Sequence, residues 1–344
     1  MRPAGGLWPE IASFHHLRAA ALRAARGKRR VRGVAAFLSR LEPEALSLER
    51  ELESGTYRPG RAFEFRIFDP KERTIAAAPF RDRVVHHALI DRLEPLFERR
   101  MIATSFACRR GKGTHAAIAC ARRLVRTHGF HLKLDIRKCF ESIRHDVAMA
   151  TLGKVVKDRR VLDLFAAILE AGSGRESGVG LPIGALTSQW IANLVLDRLD
   201  HFVKEKLRVP GYLRYMDDFA LFDDEKARLA GWLPEVDRFV REALELALKE
   251  KATRLAPHTE GLPFLGWRIF RGTTRLRAEN KRRSFRRLRL RWHEHAIGRR
   301  NLESVAASAR SLCEHLSSHG NTLGLQRSWF RPERCREPPA PAHS

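Results

Sequence analysis

Hydrophobic positions recur at helical spacing over most of this chain. Residues 7–54 hold strong helix formers in an amphipathic pattern, and residues 79–96 place their apolar side chains on one side of a long helix. The same periodicity predicts helices at about 143–171, 187–207 and 226–249. Most of the fold is therefore expected to be helical.

A few short stretches alternate instead between apolar and polar residues, which is the period of a strand. The alternation predicts strands around residues 57–67, 131–136 and 264–270, and a hairpin formed by 212–215 and 219–222. Two adjacent acids, Asp217 and Asp218, fall between the arms of that hairpin, so we expect them at its tip. Together the two periods indicate an α+β fold.

Charge narrows the class of partner. The 344 residues contain 65 Lys and Arg against 40 Asp and Glu, a net charge of +25. Such a field attracts polyphosphates without reading their sequence. A membrane surface is a weaker alternative, because no segment has a clean basic face opposite an apolar one. No apolar run approaches the ~20 residues of a spanning helix, and no secretory signal is evident, so we expect a cytoplasmic protein without a membrane partner.

The five cysteines lie far apart and form no Cys-x-x-Cys pair. A disulfide framework and a zinc site are both poor interpretations of this spacing. We expect reduced and mostly buried thiols.

The candidate chemistry lies in carboxylates. Asp217 and Asp218 repel each other, and a divalent cation would neutralise them, although a plain turn explains an Asp pair equally well when taken alone. Asp135 ends the strand predicted at 131–136, where it would lie beside a hairpin tip on a neighbouring strand. Two metal ions held between these acids would suit an in-line displacement at phosphorus.

Several motifs in order resemble the palm motifs of reverse transcriptases. The similarity spans about residues 8–300 and fits a right-hand polymerase with fingers, a palm with an antiparallel sheet, and a small helical thumb. The matching segments are Tyr57-Arg-Pro, Asp69-Pro-Lys-x-Arg-x-Ile75, Pro79-Phe-Arg-Asp-Arg-Val-Val-His86, Ser105-Phe-Ala-Cys-Arg-x-Gly-Lys-Gly113, Asp135 with Phe140, Leu181-Pro-Ile-Gly-x-x-x-Ser-Gln189, Tyr215-Met-Asp-Asp218 and Gly261-Leu-Pro-Phe-Leu-Gly-Trp267.

The resemblance implies roles for individual residues. Asp135, Asp217 and Asp218 would be catalytic, and together with Ile136 they would hold two Mg²⁺ ions. Phe140 would lie under the incoming sugar and exclude a 2′-hydroxyl, although a core aromatic is the alternative. The full set expected at the nucleotide is Lys71, Arg73, Arg81, Phe140, Ile183, Gly184 and Gln189. Any of the three basic residues in it could instead be a solvated surface charge.

One motif departs from the common pattern of the family. Where most members read Gln-Gly-x-x-x-Ser-Pro, this chain reads Ile183-Gly-Ala-Leu-Thr-Ser-Gln189. That form is similar to the enzymes of diversity-generating retroelements, which copy a template-repeat RNA into error-prone cDNA. An isoleucine can only pack, so the change would reduce discrimination at the nucleotide, and a neutral core replacement is the alternative. Retron, group II intron and phage-defence lineages remain open, as does a non-catalytic RNA-binding scaffold.

Basic residues concentrate late in the chain. Residues 268–300 contain 13 Lys and Arg against two acids, with apolar residues at helical spacing among them. The pattern indicates a helix that packs by an apolar stripe and presents arginines to a template–primer backbone, although a charge run is often only a solvated face. The residues expected to bind nucleic acid are Lys281, Arg282, Arg283, Arg286 and Arg287.

We expect the following organisation along the chain: a helical segment at 1–54, fingers with the first palm elements at 55–130, the palm with its motifs at 131–270, a basic helical thumb at 271–330 and a disordered tail at 331–344. The resemblance implies a template RNA, a DNA or RNA primer and deoxynucleotides as partners. It also implies a small basic accessory protein.

Overall fold

The computed structural model describes residues 4–68, 72–172, 177–320 and 322–330. The predictions made for Lys71 and for the tail at 331–344 lie outside these residues, as does part of the Gly-rich loop before Leu181.

Helices make up most of the described chain. They are α1 (Trp8–Ala12), α2 (Phe14–Ala24), α3 (Arg32–Leu38), α4 (Leu41–Ser54), α5 (Phe80–Glu98), α6 (Gly113–Thr127), α7 (Cys139–Ser142), α8 (His145–Gly153), α9 (Arg159–Ala171), α10 (Leu186–His201), α11 (Lys226–Leu244), α12 (Ala278–Ala296), α13 (Leu302–His319) and α14 (Leu323–Trp329). The strands are β1 (Phe63–Ile67), β2 (Arg73–Ala77), β3 (Phe130–Asp135), β4 (Gly211–Tyr215), β5 (Asp218–Asp223), β6 (Arg254–Pro257), β7 (Leu262–Phe264), β8 (Trp267–Ile269) and β9 (Thr274–Leu276).

The helical N-terminal segment predicted at residues 7–54 is confirmed as α1 to α4. Helix α2 packs against α4 and against the long helix α5. The buried face of α5 carries Val84, Val85, Ala88, Leu89 and Leu93, the side predicted from the helical period. These helices form one flank of the larger hydrophobic core.

A four-stranded antiparallel sheet in the order β4-β5-β3-β6 forms the centre of the molecule. Because side chains alternate along a strand, Leu132 and Leu134 point into the larger core while Lys133 and Asp135 lie on the opposite face. A second core covers that opposite face and includes Leu213, Ala220 and residues of α6. The sheet is therefore buried on both sides.

The prediction of a single strand at 264–270 is wrong. The chain turns at Leu265 and Gly266, both with positive φ, so that β7 and β8 pair antiparallel. Strand β9 then pairs with β8, which completes a three-stranded sheet. A side chain at position 266 would collide with Asn280, whose amide donates to the Gly266 carbonyl at 3.0 Å.

Two predicted helices end earlier than expected. Helix α11 stops at Leu244 because Glu245 adopts a left-handed conformation with φ 54°. Helix α10 ends at His201 and continues as a π-helical turn over Phe202–Lys206. The hydrophobic period of the sequence does not predict where either helix ends.

The basic helix α12 packs through a narrow apolar stripe. Leu288 is buried, and the Phe285 ring lies 5.8 Å from that of Trp329 on α14. Helices packed around antiparallel sheets confirm the predicted α+β class. The β1–β2 hairpin, the central sheet and α12 to α14 correspond to the segments predicted as fingers, palm and thumb.

Further predictions concern membranes and thiols. No described helix is long and apolar enough to cross a membrane. The four cysteines within the described residues are free; Cys120 and Cys139 are buried, Cys313 is partly buried and Cys108 is exposed.

Candidate active site

Asp135 and Asp218 are direct partners in the antiparallel register of β3 and β5. Asp135 is the last residue of β3 and Asp218 the first of β5, so the two carboxylates lie at the same end of these neighbouring antiparallel strands. Directly opposite Cβ atoms in such a pair are about 5 Å apart. The sheet therefore brings together the two acids that the sequence predicted to be neighbours.

The third acid, Asp217, lies in the turn that joins β4 to β5. Only Met216 and Asp217 form the tip, whereas Asp218 already belongs to the strand, so the prediction that both acids sit at the tip is half right. Met216 has φ 57°, a left-handed backbone conformation that is unfavourable for residues other than glycine. The carbonyl of Asp217 accepts a hydrogen bond from the Ile136 amide at 3.1 Å.

The electrostatics of the turn reflect burial and crowding. Burial raises the pKa of Asp217, and the nearby charge of Asp135 raises it further. The positive charges of Arg73 and Lys133 act in the opposite direction. Asp217 is thus a carboxylate whose ionised form needs a compensating cation.

Lys133, two residues before Asp135, reaches into the same site. Its ammonium forms an ion pair with Asp218, donates to the Leu134 carbonyl at 3.2 Å and lies 5.7 Å from the centre of the Phe264 ring. Burial lowers the pKa of Lys133 to about 7. A second lysine, Lys249, has its Nζ 3.9 Å from Asp135 Oδ1. The carboxylates are therefore already partly neutralised by the chain's own cations.

The donor atoms suit magnesium, which prefers carboxylate and carbonyl oxygens. Within the described residues, however, no three His, Cys, Asp or Glu side chains converge closely enough to hold a metal ion. Asp218 is paired with Lys133, whereas the charge of Asp135 acts on Asp217 and raises its pKa. Ile136 has a hydrocarbon side chain, so only its main-chain oxygen could serve as the ligand predicted there.

Two of the residues expected at the nucleotide, Phe140 and Ile183, make main-chain contacts with other segments. Phe140 on α7 packs half-buried against the larger core, and its carbonyl accepts from the Leu181 amide at 2.6 Å. The Ile183 carbonyl accepts from the Ala76 amide of β2 at 3.1 Å. The fingers hairpin is thereby attached to the segment that carries Ile183 and Gly184.

Gly184 lies against that hairpin and has φ 109°. A Cβ at this position would stand 3.1 Å from Ile75 Cγ2. Both the backbone conformation and the close approach require glycine.

The other predicted nucleotide contacts differ in their surroundings. Arg73 is exposed on β2 and close enough to Asp217 for its charge to lower that pKa. Arg81 instead pairs with Glu51 at 2.5 Å and lies over the Tyr57 ring, beside the N-terminal helices. Gln189 is half-buried in the first turn of α10.

The basic helix α12 divides its charges between two faces. Arg283 and Arg287 line a cavity of about 350 Å³ between α12 and α13, together with Ser308 and His315. Arg287 is nevertheless exposed, as are the other predicted nucleic-acid contacts, Lys281, Arg282 and Arg286.

Sequence reasoning missed three basic residues at the site: Lys133, Lys249 and Arg214. Lys133 could have been predicted from the sequence, because alternation along β3 places it on the same face as Asp135. Arg214 had a weaker signal, as a charge inside an otherwise apolar strand. Lys249 follows α11 and reaches Asp135 only because its amide donates to the Asp135 carbonyl at 2.8 Å.

Comparison with known proteins gives the family. Residues 69–269, more than half of the chain, match the family described as reverse transcriptase (RNA-dependent DNA polymerase). The chain is 24% identical over 283 residues to protein YkfC of Escherichia coli K12, covering 69% of this chain and 74% of YkfC. It is also 24% identical over 225 residues to the group II intron-encoded protein LtrA of Lactococcus lactis, covering 62% of this chain and 38% of LtrA.

Among solved structures, the chain is similar to telomerase from Candida albicans in complex with a fragment of telomeric RNA. The TM-score is 0.45 at 12% identity, and the match covers 76% of this chain and 54% of that chain. Because the family match takes in the central sheet with all three aspartates, and most of the fingers, the chain belongs to the reverse transcriptases, the family of RNA-dependent DNA polymerases.

Proposed function

We propose that this protein extends a primer on an RNA template in a magnesium-dependent reaction, and that Asp135, Asp217 and Asp218 are its catalytic residues. The observation that carries the proposal is the register of β3 and β5, which pairs Asp135 with Asp218 and sets Asp217 in the adjoining turn. Bound magnesium would supply activation of the primer 3′-hydroxyl and charge neutralisation at the phosphates.

The chain's own residues would then bind and orient the substrates. Arg73 is exposed, and its charge acts on Asp217; it would meet the triphosphate, since guanidinium groups suit phosphate oxygens. Phe140 would close the space beside the sugar C2′. Asp135 and Asp217 would hold the cation, while Lys133 keeps Asp218 neutralised from within the protein.

Primer extension on an RNA template tests the reaction. Asp217→Asn should abolish extension, whereas Asp163→Asn, which alters an exposed acid of α9 paired with Arg159, should leave it unchanged. Equal extension by the wild type and Asp217→Asn would refute the enzymatic proposal and favour an RNA-binding scaffold.

We further propose that the enzyme belongs to the diversity-generating type and makes errors opposite template adenine. What supports this is the motif from Ile183 to Gln189, in which an apolar side chain replaces a hydrogen-bonding one. Ile183 bonds to the hairpin through its backbone carbonyl, and its hydrocarbon side chain can add only packing. Packing separates similar substrates by only about 1–3 kcal/mol.

Sequencing the cDNA made by Ile183→Gln tests the subtype. The variant should make fewer errors opposite adenine than the wild type, because an amide restores a directional contact. An unchanged error spectrum would favour the alternative lineages (retron, group II intron or phage defence), and intron-encoded proteins are among the relatives.

The partners proposed are a template RNA with its primer, held by α12, and a small basic accessory protein. The reaction would take place in the cytoplasm. Affinity purification of the chain from its own cells, with and without nuclease treatment, tests the accessory partner: a small basic protein should be retained, and its absence would count against this partner.

A further inference from the structure

Arg214 is a fully buried charge whose three guanidinium nitrogens all donate hydrogen bonds. It lies on β4, two residues before Met216, and neither it nor its partner Asp200 is exposed. Its Nε and Nη2 donate to the Asp200 carboxylate at 2.7 and 2.6 Å. Nη2 also donates to Ser105 Oγ at 3.1 Å, and Nη1 to Asn193 Oδ1 at 3.0 Å. The guanidinium is therefore held in one orientation.

One further contact of this guanidinium reaches the catalytic turn. Nη1 donates to the Met216 carbonyl at 3.2 Å. That carbonyl belongs to Met216, whose left-handed backbone conformation is unfavourable for a residue other than glycine. The next carbonyl, that of Asp217, is held by the Ile136 amide. Both peptide groups of the turn are thus fixed, one by a side chain and one by a neighbouring strand.

The turn needs such restraint because its carboxylates repel one another. Asp217 is adjacent to Asp218 in sequence and is close enough to Asp135 for that charge to act on it. A turn free to relax would move the Asp217 side chain away from Asp135, because the two carboxylates repel each other and the Ile136 hydrogen bond restrains only the Asp217 main chain.

We propose that Arg214 is a positioning residue for the catalytic turn: by donating to the Met216 carbonyl it holds the left-handed geometry that directs Asp217 toward Asp135. The inference rests on the proposed polymerase function of these acids. Arg214 touches neither substrate nor reacting atoms in this arrangement, and it acts through Met216.

The same network ties the turn to the nucleotide side of the site. Asp200 and Asn193 both lie on α10, the helix that follows Ile183 and Gly184. Asn193 also donates to the Ala107 carbonyl at 2.8 Å. Arg214 therefore links the turn to the helix that carries Gln189, one of the predicted nucleotide contacts.

A conservative variant separates positioning from plain stability. In Arg214→Lys the ammonium can still pair with Asp200, but a single point charge cannot also reach the Met216 carbonyl. Tyr212→Phe is the matched control: it removes a 2.7 Å hydrogen bond to the same Asp200 and leaves the arginine in place. Both variants should lower the unfolding temperature, because both weaken one buried network.

Binding of Mn²⁺ alone, followed by electron paramagnetic resonance without nucleic acid, is the decisive measurement. We expect Arg214→Lys to weaken Mn²⁺ binding about tenfold or more, the scale found when an outer contact orienting a metal ligand is lost. Tyr212→Phe should change it less than twofold. The Mg²⁺ concentration for half-maximal extension should move in parallel, with the KM for deoxynucleotide unchanged.

If both variants lose stability and bind Mn²⁺ as the wild type does, Arg214 is only a structural residue and the inference is wrong. Should Arg214→Lys fail to fold, Arg214→Gln with Asp200→Asn replaces the buried ion pair by a neutral amide pair, which avoids a lone buried charge. That pair also lacks the Met216 contact and should show the same loss of Mn²⁺ affinity; wild-type affinity would refute the inference. Failure of the polymerase proposal is distinguished by Asp217→Asn, whose extension would then remain.

Discussion

Lys133 forms an ion pair with Asp218 across the two central strands of the palm sheet, from a position two residues before Asp135. The site therefore holds a cation of its own among the acids proposed to bind magnesium. Because this lysine is buried, its charge acts on Asp218 with little screening by solvent.

Replacing this lysine should make the protein depend more on magnesium. In Lys133→Met only a divalent cation can neutralise Asp218, so we expect the increase in unfolding free energy on adding Mg²⁺ to exceed that of the wild type by about 1–2 kcal/mol. Thermal unfolding with and without Mg²⁺ measures it. Lys204→Met, which removes an ammonium bonded to the Val209 carbonyl, is the control. An equal gain in Lys133→Met and wild type would show that Lys133 does not substitute for a metal charge.

Adding one methyl group at Gly184 should impair the nucleotide side of the site. Gly184→Ala forces a positive φ on alanine and presses Cβ against Ile75, which costs about 1–3 kcal/mol. We expect kcat/KM for deoxynucleotides to fall about tenfold or more. Gly153 lies at a helix end with open space around it, so Gly153→Ala should leave kcat/KM unchanged and leave stability unchanged or raise it. A fall of the same size in both would point to general damage.

Shrinking Phe140 should relax the choice of sugar. Phe140→Val opens space beside C2′, so kcat/KM for ribonucleotides should rise roughly tenfold or more relative to deoxynucleotides. Single-nucleotide incorporation with each substrate measures the ratio. Phe202→Val, which removes a half-buried ring stacked on Phe239, is the matched loss of an aromatic elsewhere. An unchanged ratio would indicate that Phe140 is a core aromatic and does not select the sugar.

The exposed charges of α12 should contribute to salt-dependent binding. The triple variant Lys281→Ala, Arg282→Ala and Arg286→Ala should lower the slope of log affinity against log salt for a template–primer by about 0.9 per lost phosphate contact. Fluorescence anisotropy over a salt series measures that slope. An equally charged triple change at exposed arginines Arg26, Arg29 and Arg30 controls for net charge. Equal slopes for both triples would mean that only overall charge matters.

The palm should lose stability in mild acid through His131. Both of its ring nitrogens are buried without a partner. Burial, helped by Arg254, lowers its pKa from 6.5 to about 4. Between those values the unfolded chain binds a proton that the folded chain does not, so stability is full above about pH 6.5 and falls as the pH drops toward 4.

For this single group the loss from pH 7.5 to pH 5 is roughly 2 kcal/mol. Chemical denaturation across this range should therefore show a shallower decline for His131→Leu than for the wild type. His15→Leu, an exposed histidine of α2, should decline as the wild type does. If the stability of His131→Leu and of the wild type fell in parallel with pH, another group would be responsible for the loss of stability in acid.

Much of the site was predictable because its pattern is local. Alternation located β3 and the arms of the β4–β5 hairpin, and an acid at the end of one strand beside an acidic turn implied that the three aspartates meet. The same reasoning misplaced Asp218 by one residue and merged β7 with β8, because both errors depend on positive φ values at Met216, Leu265 and Gly266. Those conformations are imposed by contacts from elsewhere, such as Asn280 against Gly266.

The sequence by itself determined the α+β class, the basic helix and the set of carboxylates, since periodicity, charge and residue type are properties of short segments. Only the tertiary structure decided what surrounds those carboxylates. Arg214 meets Ser105 across 109 positions of chain, and Lys133 meets Asp218 only through the register of two strands. A buried charge needs such partners to be stabilised, and their positions are fixed by the fold rather than by distance along the sequence.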